Sequence, residues 1–71
     1  MDLRKQVGVN LRRWRTERGL SQEELGFEAE LDRTYISGVE RGVRNPTVTV
    51  LQKLAKALKI EPAELLLKTR R

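Results

Sequence analysis

The stretch Ser21-Gln-Glu-Glu-Leu25-Gly-Phe-Glu-Ala29-Glu-Leu-Asp32-Arg-Thr-Tyr-Ile36-Ser-Gly-Val39-Glu-Arg-Gly42 decides the fold. Ser21 followed three residues later by Glu24 is a capping box, in which serine accepts from the first turn and glutamate reaches back to the serine amide. The spacing predicts a short helix from Gln22 to about Ala29, burying Leu25 and Ala29. Asp32 then caps a second helix from Arg33 to about Arg41, whose inner face is Ile36, Val39 and, in part, Tyr35. Gly42 ends it.

Only Glu30, Leu31 and Asp32 join the two helices. Three residues are too few for side-by-side antiparallel packing, so the helices cross steeply, at ~90–120°, as in a helix-turn-helix. Gly26 costs ~1 kcal/mol relative to alanine inside a helix, and a close backbone approach at the crossing accounts for it. Working outward, Leu3, Val7, Leu11 and Trp14 line one face of a first helix over roughly Asp2 to Arg18, ended by Gly19. Asn45-Pro46 is a turn signal. Thr47 caps a helix over about Val48 to Leu58, with Val48, Leu51, Leu54, Ala55 and Leu58 on one stripe. Pro62 suits the first turn of a fifth helix running through Leu67, although Glu61 is a mediocre cap. No run alternates with period two. The expectation is an all-α chain: a compact five-helix bundle containing a helix-turn-helix. It forms a single domain over residues 1–71, with a core of about 3–67 and a basic tail at 68–71.

Composition narrows the function. The chain has 71 residues, no cysteine and no histidine. This removes disulfide staples, zinc knuckles, thiol catalysis and most general-base triads; no metal or cofactor is expected. Ser21 and Ser37 lack a histidine to activate them, the carboxylates are dispersed, and the glycines form no phosphate cradle, so the chain reads as not an enzyme. No apolar run reaches the ~18 residues of a membrane span, and the N-terminus lacks the apolar region of a signal peptide; a cytoplasmic location is expected. The net charge of +5 is unevenly placed. Residues 1–20 are basic, 21–31 acidic and 47–71 basic again, a pattern that suits an oriented contact with a polyanion. The alternative is a set of plainly solvated helix faces. A core this small supplies only ~3–5 kcal/mol, so a dimer interface would help.

The outer face of the second short helix carries Arg33, Thr34, Ser37, Gly38 and Arg41, where a solvated helix more often shows Glu and Lys. Arginine bridges O6 and N7 of guanine, and threonine offers a hydroxyl and a methyl to thymine. Here the chain resembles the Cro/phage-repressor (Xre-type) helix-turn-helix regulators, with a lambda repressor-like DNA-binding domain. The likeness is carried by Ser21-Gln-Glu-Glu-Leu25, Leu31-Asp-Arg-Thr-Tyr-Ile-Ser37, Glu40-Arg-Gly42 and Arg44-Asn-Pro46. It extends to Leu11-Arg-Arg-Trp-Arg15, Leu51-Gln-Lys-Leu-Ala-Lys-Ala-Leu58 and Glu64-Leu-Leu66. The run from Leu31 to Gly42 is similar, more narrowly, to controller proteins of restriction-modification systems.

The resemblance implies a sequence-specific transcription regulator that binds double-stranded DNA as a homodimer on a pseudo-palindromic operator, and that autoregulates a restriction-modification operon if the narrower likeness holds. It implies that Gln22 holds a phosphate, that Arg33, Thr34 and Ser37 face the major groove, and that Tyr35 leans on the sugar-phosphate backbone. Arg41, Arg44 and Asn45 would track the strand, and Arg15 and Glu40 form a structural ion pair. Two positions depart from the family. Glu30 stands where glycine is usual, at a left-handed residue, implying about 1 kcal/mol of strain or a different turn. Gly38 replaces a long side chain, so it either gives up a base contact or lets the backbone approach DNA.

Ordinary structural roles compete with several of these readings. Trp14 reads as core rather than a base-stacking platform. Arg4, Lys5, Arg12, Arg13 and the Lys53, Lys56 and Lys59 set read as solvated. Leu65 and Leu66 are expected to pack inward, leaving Leu67 for a dimer contact through the C-terminal helices. Arg70 and Arg71 would add weak attraction to DNA. With no length left for a sensor domain, no small-molecule ligand is expected. Regulation would then rest on concentration, operator cooperativity or a partner. The rival reading is an antitoxin-like or accessory protein-interaction module, recognisable by a large apolar surface around Leu65–Leu67 and little affinity for DNA.

Overall fold

Each of the four α-helices among the described residues starts at a side chain that accepts a hydrogen bond from the first turn. Asp2 accepts from the amide of Arg4, Ser21 from Glu24, Asp32 from Thr34 and Thr47 from Val50. The structure, a computed structural model, describes residues 2–68. Its elements are α1 (Leu3–Glu17), α2 (Gln22–Ala29), α3 (Arg33–Glu40) and α4 (Val48–Leu58), then a 3₁₀ turn at Pro62–Leu65. No described residue is in a strand. Arg70 and Arg71, expected to add attraction to DNA, lie outside the described residues.

The helix ends share one pattern as well. The amides of Leu20, Leu31, Val43 and Ile60 reach back to the carbonyls of Arg15, Gly26, Gly38 and Ala55 at 2.8–3.0 Å. The residue before each is left-handed: Gly19, Glu30, Gly42 and Lys59, with φ of 71°, 60°, 78° and 60°. Glycine takes two of these positions without strain, whereas Glu30 and Lys59 each cost about 1 kcal/mol. Burial of the next residue offsets that cost, since Leu31 and Ile60 both pack against the core. Glu30 therefore adopts the strained conformation rather than a different turn; the equivalent state of Lys59 carries no signal in the sequence.

The core is Val7 and Leu11 of α1, Leu25 and Ala29 of α2, Ile36 and Val39 of α3, Leu54, Ala55 and Leu58 of α4, and Leu65. α3 packs on α1 and α2, and α4 on α2 and the 3₁₀ turn. Glycines permit two of the approaches. A Cβ at Gly26 would lie 2.6 Å from the Leu31 carbonyl oxygen, and one at Gly8 would lie 2.6 Å from those of Val39 and Glu40.

The fifth α-helix expected over Pro62–Leu67 does not form. Glu61 offers no side-chain cap, and the single 3₁₀ turn buries only Leu65. Leu66, at the end of that turn, faces solvent rather than the core. Leu3 and Val48, expected on the buried stripes, are exposed too. Each is the first residue of its helix, and Leu3 borders a shallow groove shared with Pro46 and Leu66. Trp14 is half-buried against the core, with the Arg13 and Arg18 guanidinium carbons 4.9 and 5.3 Å from its ring centroid.

Candidate nucleic-acid interface

The orientation of α3 is set from inside. Glu40, in its last turn, receives Arg15 Nε at 2.5 Å and Arg15 Nη2 at 3.1 Å, while Arg15 Nη1 donates to the Leu20 carbonyl at 2.8 Å. The two side chains are only 14% and 5% exposed. A bidentate pair so shielded from water ties α3 to α1 in one geometry. Hydrogen bonding to Glu40 raises the Arg15 pKa above its ordinary value. The pair expected from Arg15 and Glu40 is therefore present.

The opposite face of α3 is open. Arg33 and Thr34 are exposed and Ser37 is half-buried. Among the described residues, the Arg33 guanidinium takes part in no ion pair. Arg33, Thr34 and Ser37 join Gln22, at the start of α2, to line a shallow cleft of about 210 Å³. It is a concave strip of hydrogen-bonding groups with a free cation at its edge. Asp32 adjoins it, with Oδ2 accepting from the Thr34 amide at 2.8 Å; hydrogen bonds from Thr34 hold its carboxyl below the ordinary range.

Gln22 differs from its simple expectation. Its Nε2 donates to Glu40 Oε1 at 3.1 Å, so the side chain is already held by the Arg15–Glu40 pair. No spacing in the sequence signals this link, because it joins residues from different helices. Arg41, just past α3, is exposed and its Nε lies 3.4 Å from Ser37 Oγ. Arg44 and Asn45 are exposed in the loop beyond, and the Arg44 guanidinium carbon stands 5.9 Å from the half-buried Tyr35 ring. Gly38 requires a correction: it is buried, with the Arg44 side chain across it. Its backbone is therefore not bare at the surface.

A second polar anchor also escaped the sequence reading. Asn10 is fully buried, and its Nδ2 donates to the carbonyls of Leu65 at 2.9 Å and Leu67 at 2.7 Å. Gln6 Nε2 donates to the Leu67 carbonyl at 3.0 Å. The C-terminal segment is thus held to α1 through its backbone, with the side chains of Leu66 and Leu67 exposed. Beside them, Leu3, Val7, Pro46, Leu51 and Leu66 contribute to a mainly apolar groove of about 170 Å³. Among the described residues no cluster of acidic side chains is arranged to hold a metal ion, and no helix is long and apolar enough to cross a membrane.

A family model described as helix-turn-helix matches residues 11–65. The chain is 48% identical over 69 residues to an uncharacterized HTH-type transcriptional regulator, y4dJ, of Sinorhizobium fredii, an alignment that covers 97% of this chain and 90% of that one. The crystal structure of the restriction-modification controller protein C.AhdI from Aeromonas hydrophila superposes with a TM-score of 0.85 at 53% identity, covering 87% of this chain and 94% of that one. A hypothetical transcription factor from Neisseria, NHTF, superposes with a TM-score of 0.91 at 43% identity, over 94% of this chain and 77% of that one.

Proposed function

The chain belongs to the helix-turn-helix family, and from that premise we propose that it is a sequence-specific, double-stranded DNA-binding transcription regulator of the Xre type, acting as a homodimer. One observation carries the reading: α3 is clamped by a shielded ion pair on one side and presents an unpaired arginine with two hydroxyl side chains on the other. A face so arranged costs little to reorganise when it meets a base edge.

In this reading residues 33–41 enter the major groove. Arg33 takes O6 and N7 of a guanine, and Thr34 and Ser37 read neighbouring edges. Gln22, steadied by Glu40, donates to a phosphate at the mouth of the cleft, and Tyr35 lies along the sugar-phosphate backbone. Arg41, Arg44 and Asn45 follow the strand. Two subunits, joined through a face that includes Leu3, Leu66 and Leu67, read half-sites about one turn (~34–36 Å) apart on a pseudo-palindromic operator. The controller-protein likeness points to autoregulation of a restriction-modification operon, in the cytoplasm, by residues 1–71 acting as one DNA-binding domain.

A gel-shift on the DNA upstream of its own gene, with unrelated duplex as competitor, tests this. If each subunit neutralises about four phosphates, the log–log salt slope is near −7. Arg33→Ala costs ~1–3 kcal/mol on the preferred site and relaxes one base position. An unchanged ratio of specific to nonspecific binding removes Arg33 as a base reader. No affinity for any duplex, with Leu66 and Leu67 gripping another protein, establishes the interaction-module alternative instead.

A further inference from the structure

Gly38 is a helical glycine with no left-handed backbone to explain it, and it lies one turn beyond both Thr34 and Tyr35. A Cβ built there would meet Arg44 Cγ at 2.5 Å, Nε at 3.3 Å and Cδ at 3.4 Å; all three nearest atoms belong to that one side chain. The Arg44 backbone is fixed at the same place, because its amide and that of Val43 both donate to the Gly38 carbonyl, at 3.2 and 3.0 Å. From there the stem of Arg44 crosses α3 in the space a methyl group would fill. Its guanidinium carbon comes to 5.9 Å from the Tyr35 ring centroid, within the range of a cation–π contact.

We propose that Gly38 is a positioning residue: it is a saddle that seats the Arg44 stem and delivers its guanidinium to Tyr35, so that the cation is oriented before DNA arrives. A flexible loop arginine would otherwise lose its rotamer freedom on binding. The consequence for DNA rests on the reading given above, whereas the seating of Arg44 belongs to the free protein and stands apart from it. The proposal also resolves the departure from the family pattern, since the long side chain missing at Gly38 is replaced by one entering from the following loop.

A merely structural glycine gives a different expectation. A glycine kept only for room lets the Arg44 stem move aside for alanine, the helix-propensity gain offsetting the displaced contact, and Gly38→Ala would leave DNA binding untouched. The test compares the full chain as wild type, G38A, R44A and the G38A/R44A double variant. It measures affinity for a duplex from upstream of its gene, Tm, and the ring-current shift of the Arg44 side-chain protons, read as their change on Tyr35→Leu. G38A is expected to lose the ring-current shift and bind about tenfold more weakly at equal or higher Tm, while adding G38A to R44A changes affinity less than about twofold. An equal loss in both backgrounds overturns the proposal, as does a G38A protein that keeps both the shift and its affinity. If the wild type binds no duplex, the DNA reading fails by itself. The shift then decides the seating: lost in G38A it supports the saddle, and retained it overturns it.

Discussion

α2 and α4 end in the same way but lead to different structures. Glu30 and Lys59 adopt nearly identical left-handed conformations, φ 60° and ψ 42° against φ 60° and ψ 44°. The following amides reach back equally, Leu31 at 2.8 Å and Ile60 at 3.0 Å. Two residues after each left-handed position, Asp32 and Glu61 are both extended, with ψ of 142°. Yet Asp32 opens an eight-residue α-helix and Glu61 a four-residue 3₁₀ turn. The exit from one helix therefore does not dictate the next element. That is decided by whether the next residue caps and whether a buried stripe follows: Asp32 accepts from Thr34, and Ile36 and Val39 reach the core, while Glu61 caps nothing and only Leu65 is buried.

The two regions are also anchored by different chemistry, which sets how each can be broken. Glu40→Ala is expected to have the largest effect. It leaves Arg15 shielded without its partner and frees Gln22, a loss comparable to the whole stability of so small a domain, read as loss of the cooperative urea transition. Asn10→Ala removes the donor to the Leu65 and Leu67 carbonyls and costs ~1–3 kcal/mol. Hydrogen exchange should then show the Leu66 amide opening well before the amides of α3. Equal exposure of both would mean the anchors are not separate.

Glu30→Gly and Lys59→Gly test the shared helix ends. Each relieves left-handed strain and should raise stability by about 1 kcal/mol, by similar amounts and additively. A gain at one site alone would show that the two ends differ in energy despite their geometry. The smallest effect concerns the cap. Hydrogen bonds from Thr34 lower the Asp32 pKa in the folded chain relative to the ordinary value of 3.8. Its contribution is therefore complete above that value and is lost as pH falls through the lowered one. Wild type should melt earlier with falling acid pH than an Asp32→Asn chain, which keeps an acceptor that does not titrate.

The capping box at Ser21, the caps at Asp32 and Thr47, the glycines at 19 and 42, and apolar spacings such as Val7–Leu11, Leu25–Ala29, Ile36–Val39 and Leu51–Leu54–Leu58 made all four α-helices legible before any coordinates, because these signals act within a turn or two of the chain. The family likeness supplied the Arg15–Glu40 pair. Leu3, Val48 and Leu66 were misassigned because periodicity identifies a face but not whether a neighbour extends far enough to cover it. Gln22 bonded to Glu40, Asn10 holding the C-terminal segment, and Arg44 lying over Gly38 had no local signal at all.

Sequence alone therefore determined where α2, α3 and α4 begin and where α1 and α3 end, since side-chain caps and glycine ends depend on hydrogen bonds between near neighbours. It also determined the polar character of the face that α3 exposes. Tertiary structure alone decided that Gln22 joins the Arg15–Glu40 pair, that Asn10 holds the last segment to α1, and that Arg44 is brought to Tyr35. Those outcomes depend on groups far apart in the chain competing for the same space and the same hydrogen bonds, and only the packed molecule brings them within reach of each other.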